Sequence, residues 1–280
     1  MKNKFLILLY IFTFTFAIKG YTTECGKYSF NNDWLLKVGD IPDAQKSQFK
    51  DDDWSKVTLP RAFNEDEAFK VSIEQLTDTV MWYRKHFKLP KTAKGKKVFI
   101  EFEGVRQGAD FYLNGKHIGL HENGVMAVGF DLTPYLNFTG ENVIAVRTDN
   151  DWKYKERATG SRYQWNDNNF NVNYGGIPKN VWLHITDKLY QTLPLYSNLR
   201  TTGVYIYATD ICTKSRKAFV NAESEVRNEY DKSCNVSYEV CVYDYDGNWV
   251  STFKSAPVIV KSKETVKLKA AKELENLHFW

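Results

Sequence analysis

The sequence predicts an all-β protein built from two sandwiches, a jelly-roll β-sandwich followed by an immunoglobulin-like β-sandwich. Short runs of alternating apolar and polar residues recur along most of the chain, and turn residues such as Gly, Asn and Asp separate them. No run with helical periodicity of useful length interrupts this pattern. At 280 residues, the chain is long enough to bury two separate cores.

An amino-terminal segment, residues 1–20, differs from everything after it. Lys2 and Lys4 precede an apolar run from Phe5 to about Ile18, and small or polar residues follow that run. The run is too short to span a bilayer with ease and has the arrangement of a secretory signal peptide. We therefore expect a secreted or periplasmic protein without a membrane span.

The charge of the remaining chain argues against nucleic acid as a partner. The amino-terminal segment contains three lysines and no acid, so removing it lowers the formal net charge from +4 to +1. A nearly neutral protein has little electrostatic attraction for nucleic acid or for an anionic membrane surface.

The jelly roll is predicted over residues 21–188, and its first part contains two tryptophans that follow acids. One aspartate precedes Trp34, and three precede Trp54. We interpret both places as turns that close over a buried indole ring, because tryptophan is usually buried. Between residues 61 and 79 the sequence is polar and lacks β alternation, which predicts a long loop with one helical turn near Ser72 to Leu76.

The clearest strand signal is the run KKVFIEFEG. Val98 and Phe102 mark its apolar face, whereas Glu101 and Glu103 project together from the other face. Carboxylates two residues apart near a strand end are typical of a solvated edge, and we interpret them in that way and not as an acid and base pair. The next segment, ADFYLNGKHIG, is predicted to be a hairpin, because its Asn-Gly dipeptide suits a type I′ turn.

The immunoglobulin-like sandwich is predicted over residues 189–275. Roughly seven short strands occupy about ninety residues there, which is typical of that architecture. The Cys, Trp, Cys signature of antibody domains is missing, so the likeness is architectural. We expect this region to act as a spacer or a packing surface.

The four cysteines match neither a metal motif nor a dense disulfide framework. In one straight strand, Cys234 and Cys241 would lie roughly 23 Å apart on opposite faces and could not bridge each other. A disulfide between Cys212 and either of these two stays open as an alternative, as do free thiols in a β core. Cys25 is not preceded by the small residues that a lipid-attachment site requires.

The most distinctive stretch is WNDNNFNVNYGGIPKNVWL, from Trp165 to Leu183. Amides and one acid surround aromatic rings, and a glycine pair then lets the backbone turn into an alternating strand. Such a group of side chains could bind the hydroxyls of a sugar. The alternative is a solvated surface loop, because asparagine satisfies its own backbone and tolerates left-handed turns.

Motifs for catalysis or cofactor binding are missing from the sequence. The five histidines lack metal-ligand spacing, and there is no GxSxG motif, P-loop or dinucleotide fingerprint. Nothing forms a defensible general acid and base pair. We therefore predict no catalytic residue, no metal and no cofactor within this chain.

An ordered set of segments resembles one family along essentially the whole chain after the signal peptide. The segments are NNDWLLKVGD, MWYRKHFKLP, KGKKVFIEFEGV, FYLNGKHIG, DLTPYLNFTGENVIAVRTDN, NVNYGGIPKNVWLHI and ELENLHFW. Together they resemble the amino-terminal half of secreted bacterial β-galactosidase-like enzymes of glycoside hydrolase family 2. The most specific elements are the Asn-Gly hairpin with DLTPYL downstream and the strand that contains GGIPKNVWL.

The resemblance implies a fold, and it implies that catalysis belongs to a separate domain. In that family, a galactose-binding-like jelly roll and an immunoglobulin-like domain precede a (β/α)8 barrel that carries two catalytic glutamates. A barrel needs about 250 residues. We therefore expect both glutamates to lie beyond Trp280, with residues 276–280 as the start of a truncated catalytic region, and we expect this chain to be inactive alone.

The resemblance also implies where a sugar would bind. In the family, the loop before the GGI strand reaches toward the barrel mouth and holds an acid or amide against the terminal sugar. Trp165 could add an apolar wall for the sugar ring. The candidate substrate-binding residues are Trp165, Asp167, Asn168, Asn169, Asn171 and Asn173.

Three hypotheses for the function follow. The first is the non-catalytic amino-terminal part of a secreted retaining exo-glycosidase that acts on terminal β-galactosides or a related sugar. The second is a free-standing carbohydrate-binding or surface-interaction protein. The third is complementation, in which this chain docks onto a catalytic barrel encoded separately.

Overall fold

The computed structural model describes residues 25–162 and 173–277. The predicted signal peptide, residues 1–20, lies outside these ranges. Within them, nearly all regular structure is β-strand, as the sequence predicts, and no helix is long and apolar enough to cross a bilayer.

The first sandwich contains strands β1 to β12 over the described residues. In chain order they are β1 (Gly26–Ser29), β2 (Trp34–Val38), β3 (Ser55–Val57), β4 (Arg61–Ala62), β5 (Val80–Lys88), β6 (Lys97–Phe102), β7 (Gly108–Leu113), β8 (Lys116–Glu122), β9 (Val128–Asp131), β10 (Glu141–Asp149), β11 (Gly176–Ile177) and β12 (Val181–Thr186). Short 3-10 helices span Ile73–Gln75, Lys91–Ala93 and Thr133–Tyr135. The first of these is the helical turn predicted within the polar loop.

These strands form two antiparallel sheets and a short ribbon. One sheet has the order β1-β12-β6-β9, the other has the order β3-β2-β5-β10-β7-β8, and β4 pairs with β11. Because non-consecutive strands are neighbours in both sheets, the connections cross between layers, as in a jelly roll.

The core lies between the two large sheets. The apolar face of β6 is fully buried at Val98, Ile100 and Phe102, which confirms the predicted alternation. The Phe102 ring meets the Phe111 ring of the facing sheet with centroids 5.0 Å apart. Pairs of aromatic rings at this distance add to the stabilisation that burial provides.

Three local predictions from the sequence are confirmed. Trp34 is fully buried, and Trp54 packs in a second buried cluster beneath β5 and β10. In the hairpin between β7 and β8, Asn114 and Gly115 have φ angles of 52° and 81°, the left-handed conformations that a type I′ turn requires.

The second sandwich contains strands β13 to β20 over the described residues. They are β13 (Leu189–Gln191), β14 (Val204–Cys212), β15 (Lys217–Asn228), β16 (Cys234–Val236), β17 (Glu239–Tyr243), β18 (Trp249–Lys254), β19 (Val258–Val260) and β20 (Thr265–Leu274), with the short helix α1 (Tyr196–Leu199) after β13. Strand β15 is central, pairing with β13 and β14 on one side and with β20 on the other.

The other layer of the second sandwich is a single hairpin. Its two arms pair as β16 with β19 and as β17 with β18. The arm that contains Cys234 and Cys241 is therefore broken between β16 and β17. All four cysteines are free thiols, so the structure contains no disulfide between Cys212 and Cys234 or Cys241. Cys212 and Cys241 are exposed, so the alternative of thiols in a β core is wrong for these two.

The two sandwiches meet at a joint formed by charged and aromatic side chains. Lys97 at the start of β6 pairs with Asp131 of its own sheet and, at 3.1 Å, with Glu229 of the second sandwich. Beside this pair, the Phe99 and Tyr190 rings lie 5.3 Å apart. The Lys97 side chain is only 11% exposed, so water screens these ion pairs weakly.

Candidate functional site

The predicted sugar-binding loop ends on a buried residue. Asn173 is fully buried and lies just before β11. The other candidates lie outside the described residues, namely Trp165, Asp167, Asn168, Asn169 and Asn171. The structure therefore positions the carboxyl-terminal anchor of the loop.

Asn173 makes hydrogen bonds through its side chain and its backbone. Its Oδ1 accepts from Gln107 Nε2 at 3.0 Å, and its Nδ2 donates to the carbonyl of Asn150 at 2.6 Å. Its own carbonyl accepts from Asn64 Nδ2 at 2.8 Å and from Asn150 Nδ2 at 3.1 Å. With both amide atoms engaged and no exposed surface, Asn173 acts in this structure as an anchor.

We call Asn64, Gln107, Asn150 and Asn173 the amide cluster. All four are buried, and they come from four separate segments of the first sandwich. Asn64 Oδ1 also accepts from the backbone of Gly175 at 3.2 Å, and Asn150 Oδ1 accepts from the backbone of Thr79 at 3.0 Å. Buried polar networks of this kind hold the backbone in one arrangement, because each unmet hydrogen bond would cost free energy.

The glycine pair after Asn173 is required by close packing. Gly176 has a φ of 102°, and a Cβ there would collide with the Tyr83 hydroxyl. That hydroxyl donates to the carbonyl of Arg61 in β4 at 2.7 Å, and burial raises the pKa of Tyr83. A Cβ on Gly175 would similarly collide with the side chain of Asn150. The glycines therefore let β11 lie directly on the amide cluster.

Residues before the loop are also anchored to the first sandwich. Arg162 donates to the carbonyl of Trp152 at 2.7 Å and forms a β-bridge with Lys155. Nearby, the hydroxyl of Tyr154 donates to Glu122 at 2.6 Å. Both ends of the predicted loop are thus attached to the same sandwich.

The turn between β6 and β7 places Arg106 beside β11. The Arg106 amide donates to the Gly176 carbonyl at 2.9 Å, and the Gly176 amide donates back to Arg106 at the same distance. Arg106 Nε is buried without a hydrogen-bond partner among the described residues, and so is Oε1 of the adjacent Gln107. Burial lowers the pKa of Arg106.

Comparisons with known proteins show which family the first sandwich belongs to. Residues 51–182 match a family model described as the glycosyl hydrolase 2 galactose-binding domain-like family. The first sandwich is a glycoside hydrolase family 2 domain. The matched range contains β3 to β11 of this family 2 domain, the start of β12, the entire predicted loop and the amide cluster.

Relatives of the chain include β-glucuronidases and β-galactosidases. The chain is 39% identical to a β-glucuronidase of Formosa agariphila over 267 residues, or 92% of this chain and 27% of that protein. It is 30% identical to the β-galactosidase BoGH2A of Bacteroides ovatus over 243 residues, or 85% of this chain and 26% of that protein. A solved structure of a family 2 β-glucuronidase superposes with a TM-score of 0.82 at 37% identity, covering 91% of this chain and 27% of that chain.

The chain thus spans about a quarter of the length of these curated relatives. It matches the amino-terminal portion of family 2 proteins. The resemblance seen in the sequence is confirmed at this level, and so is the galactose-binding-like jelly roll.

One interpretation of the sequence is wrong within the family 2 domain. Glu101 and Glu103 do not form a solvated edge, because β6 is flanked by β12 and β9 and both carboxylates are engaged. Glu101 binds His184 Nε2 at 2.8 Å, and Glu103 accepts from Trp182 Nε1 at 2.7 Å. These hydrogen bonds lower the pKa of both carboxyls against the opposing effect of burial.

The sequence did not reveal the other members of the amide cluster or Arg106. Asn64 and Asn173 are 109 positions apart, and no local spacing marks residues that meet only after folding.

Among the described residues, no group of three or more His, Cys, Asp or Glu side chains could hold a metal ion. The amides of the cluster use their hydrogen bonds to hold the end of the loop, and the buried atoms left unpaired here among the described residues are Arg106 Nε and Gln107 Oε1.

Proposed function

We propose that this chain is the amino-terminal, non-catalytic part of an exported family 2 glycoside hydrolase that cleaves O-glycosyl bonds. In this proposal, the loop that ends at Asn173 helps to bind the terminal sugar of a β-glycoside. The relatives act on two such classes by their names, β-glucuronides and β-galactosides, and we carry both forward as candidate substrates.

The observation that carries the sugar-binding proposal is the amide cluster. It fixes the carbonyl of Asn173 with two donors and its side chain with two further hydrogen bonds. Binding residues work best on loops that a rigid scaffold positions. A loop that must present Asp167 or Asn171 to a sugar gains affinity when its end is already fixed, because less conformational entropy is lost on binding.

The non-catalytic part of the proposal is supported by the state of the carboxylates. A retaining glycosidase needs two carboxyl groups about 5 Å apart, one of them free to act as nucleophile. In the first sandwich, Glu101, Glu103 and Asp51 instead bind His184, Trp182 and Arg84. In the proposed enzyme, a (β/α)8 barrel supplies both catalytic groups.

Hydrolysis by the chain itself tests the non-catalytic role. We expect the purified chain, without residues 1–20, to release no 4-nitrophenol from 4-nitrophenyl β-glucuronide or from 4-nitrophenyl β-galactoside. Activity that a single glutamate substitution within the chain abolished would contradict this proposal.

A chimera tests the role of the loop in catalysis. The chain, without residues 1–20, would replace the matching segment of the Formosa agariphila β-glucuronidase, to which it is 39% identical. We expect Asn171→Ala to lower kcat/KM by roughly 10-fold, since loss of a hydrogen bond to substrate costs about 1 to 2 kcal/mol. Asn235→Ala, on an exposed position of β16, serves as the control and should leave kcat/KM unchanged. Equal values for both variants would remove the loop from the proposal.

Calorimetry separates this proposal from a free-standing carbohydrate-binding protein. Heat of binding with lactose or galactose at millimolar concentration, lost in Asn171→Ala, would indicate an autonomous site in the chain.

Export is tested by sequencing the amino terminus of the mature protein, where we expect cleavage between Ala17 and Cys25.

A further inference from the structure

The joint between the two sandwiches contains a cavity of about 320 Å³, which we call the joint cavity. Phe99 and Asp131 line it from the first sandwich, and Tyr190, Glu225 and Arg227 are among the residues that line it from the second. Small-molecule pockets in proteins occupy about 300 to 1,000 Å³, so this cavity has room for a ligand of the size of one sugar ring. Because both sandwiches supply its walls, the cavity exists only where they meet.

Two aromatic rings form an apolar wall of the joint cavity. The Phe99 and Tyr190 ring centroids are 5.3 Å apart, and Phe99 is buried. The Tyr190 hydroxyl donates to Glu229 at 3.0 Å, which holds the ring in one orientation. A pyranose ring carries C–H groups on its faces, and these groups pack against aromatic rings as other apolar groups do.

Glu225 supplies hydrogen-bond acceptors to the joint cavity. Its carboxylate accepts from the hydroxyls of Thr192 at 2.8 Å and Thr202 at 3.0 Å, and from the backbone amide of Thr202 at 3.1 Å. A carboxylate offers about four acceptor sites. The three hydrogen bonds therefore fix the position of the carboxylate and leave it able to accept from the hydroxyl of a ligand.

Two arginines supply hydrogen-bond donors. Arg227 donates through Nε to Glu229 at 3.0 Å and through Nη1 to Thr265 at 3.0 Å, which leaves Nη2 without a partner among the described residues. Arg200, which also lines the cavity, is exposed and follows α1 in a left-handed conformation with a φ of 58°. Its guanidinium lies 5.8 Å from the centroid of the Tyr196 ring and makes no hydrogen bond or ion pair with a described residue. Donors of both arginines are thus available to a ligand.

The charges around the joint cavity favour a neutral ligand. Its charged lining residues are two arginines, Arg200 and Arg227, and two acids, Asp131 and Glu225, so their formal charges cancel. An anion would be attracted by the arginines but repelled by the acids, and the reverse holds for a cation. A hydroxyl group both donates and accepts, so a ring with several hydroxyls can use the carboxylates and the guanidiniums together.

We propose that the joint cavity is a second sugar-binding site, which takes one neutral pyranose residue. The sugar packs a C–H face against Phe99 and Tyr190. Its hydroxyls donate to Glu225 and accept from Arg200 and Arg227. The site is separate from the predicted sugar-binding loop and needs no catalytic domain, so it goes beyond the proposed function. Because both sandwiches contact the sugar, binding stabilises the joint between them.

Nuclear magnetic resonance on the full chain without residues 1–20 tests this proposal. We expect methyl β-D-galactoside or methyl β-D-glucoside at millimolar concentration to shift the backbone amide signals of Thr192 and Thr201, which line the cavity. Inorganic phosphate, the anionic probe, should leave these cavity signals unchanged. The amide signals of Gly175 and Gly176 serve as loop signals, because these residues follow the predicted loop directly.

Two arginine variants test the residues assigned to the site. Arg200→Gln should weaken binding of the methyl glycoside by about 10-fold, as expected for the loss of a hydrogen bond from a charged donor. Its melting temperature should equal that of the unmodified chain, because this guanidinium makes no hydrogen bond within the described residues. Arg216→Gln is the matched control, since Arg216 is exposed at the opposite end of β15, and it should leave the affinity unchanged.

Three results would overturn the joint site. In the first, neither methyl glycoside shifts the cavity signals; if the loop signals still shift, the predicted loop is the site of sugar binding. In the second, phosphate shifts the cavity signals as strongly as the sugars do, which would make the cavity an anion site. In the third, Arg200→Gln binds the sugar as tightly as Arg216→Gln. Cavity signals that shift while loop signals stay unchanged would support the joint site and count against the loop.

Discussion

The two sandwiches differ in how completely they are closed. The first places sheets of four and six strands face to face and contains two clusters of buried apolar side chains, one of them large. The second, over the described residues, covers a four-stranded sheet with one hairpin. Large apolar side chains on its strands are exposed, among them Ile206 and Ile259 at 62% and 68%.

This difference explains where the candidate site is located. The amide cluster and Arg106 both belong to the closed sandwich, in which neighbouring strands and a dense core hold each backbone segment. Sites that require fixed geometry need such support. The second sandwich offers exposed apolar surface instead, which is typical of regions that contact other protein.

The largest effect is expected when a buried charge of the first sandwich is removed. Asp51 binds Arg84 Nε at 2.7 Å, and the Arg84 side chain is fully buried. Asp51→Ala leaves that guanidinium unpaired, so we expect the free energy of unfolding to fall by about 3 to 5 kcal/mol in urea titrations followed by tryptophan fluorescence. Asp53→Ala, which removes an exposed partner of Lys37, should be indistinguishable from the unmodified chain. Similar losses in both variants would mean that the burial of the Asp51 and Arg84 pair does not add to its contribution.

Matched core truncations compare the two sandwiches directly. Ile100→Ala empties a fully buried site between two complete sheets and should cost about 2 to 5 kcal/mol. Leu268→Ala removes a buried side chain from β20, where the facing layer is only a hairpin that can relax or admit water. We expect a loss of about 2 kcal/mol or less there. Differential scanning calorimetry of both variants gives the comparison, and an equal or larger loss for Leu268→Ala would refute it.

Removing the anchor of the loop has a smaller expected effect. Asn173→Ala leaves the Gln107 amide and the Asn150 carbonyl without partners in the interior. We expect a loss of about 1 to 3 kcal/mol in urea unfolding, with Asn235→Ala unchanged. Faster amide hydrogen exchange at Gly175 and Gly176 should accompany it, because β11 packs on the cluster. Unchanged exchange would show that β11 is held by other contacts.

Acid produces the smallest expected effect. Burial tends to raise the pKa of Asp51, but hydrogen bonds from Arg84 and His86 outweigh it and the pKa is lowered from its usual 3.8. The ionised form is therefore favoured by folding, so its contribution is complete above about pH 4 and is lost as the pH falls through the lowered pKa. The free energy of unfolding of the first sandwich should fall as the pH drops below 4. In Asp51→Asn, this fall should be smaller. An unaltered acid profile in this variant would assign the effect to other carboxyls.

The sequence predicts best what depends on near neighbours. Alternation revealed the buried face of β6, and the Asn-Gly dipeptide revealed its turn, because both signals come from adjacent residues. The interpretation of Glu101 and Glu103 failed since alternation does not show that a strand is covered on both faces. His184 and Trp182, which bind these carboxylates, lie on β12 and become neighbours only through strand pairing.

The candidate site was only partly predictable for the same reason. The Asn-rich composition and the glycine pair drew attention to the stretch that contains Asn173 and leads into β11, and family resemblance gave it an expected role. Asn173 was grouped with surface amides, whereas its side chain is buried among residues from three other segments. Arg106 gave no signal, because an arginine without a partner can be recognised only when its surroundings are known.

The joint between the sandwiches links the position of one to the position of the other. Lys97 shares its charge between Asp131 and Glu229, and Tyr190 donates to Glu229 at 3.0 Å, so one carboxylate ties both bodies together. In the proposed function, a misplacement of about 1 Å at the reacting sugar can cost roughly 100-fold in rate, so an ion pair that fixes one sandwich against the other would contribute to accuracy from a distance.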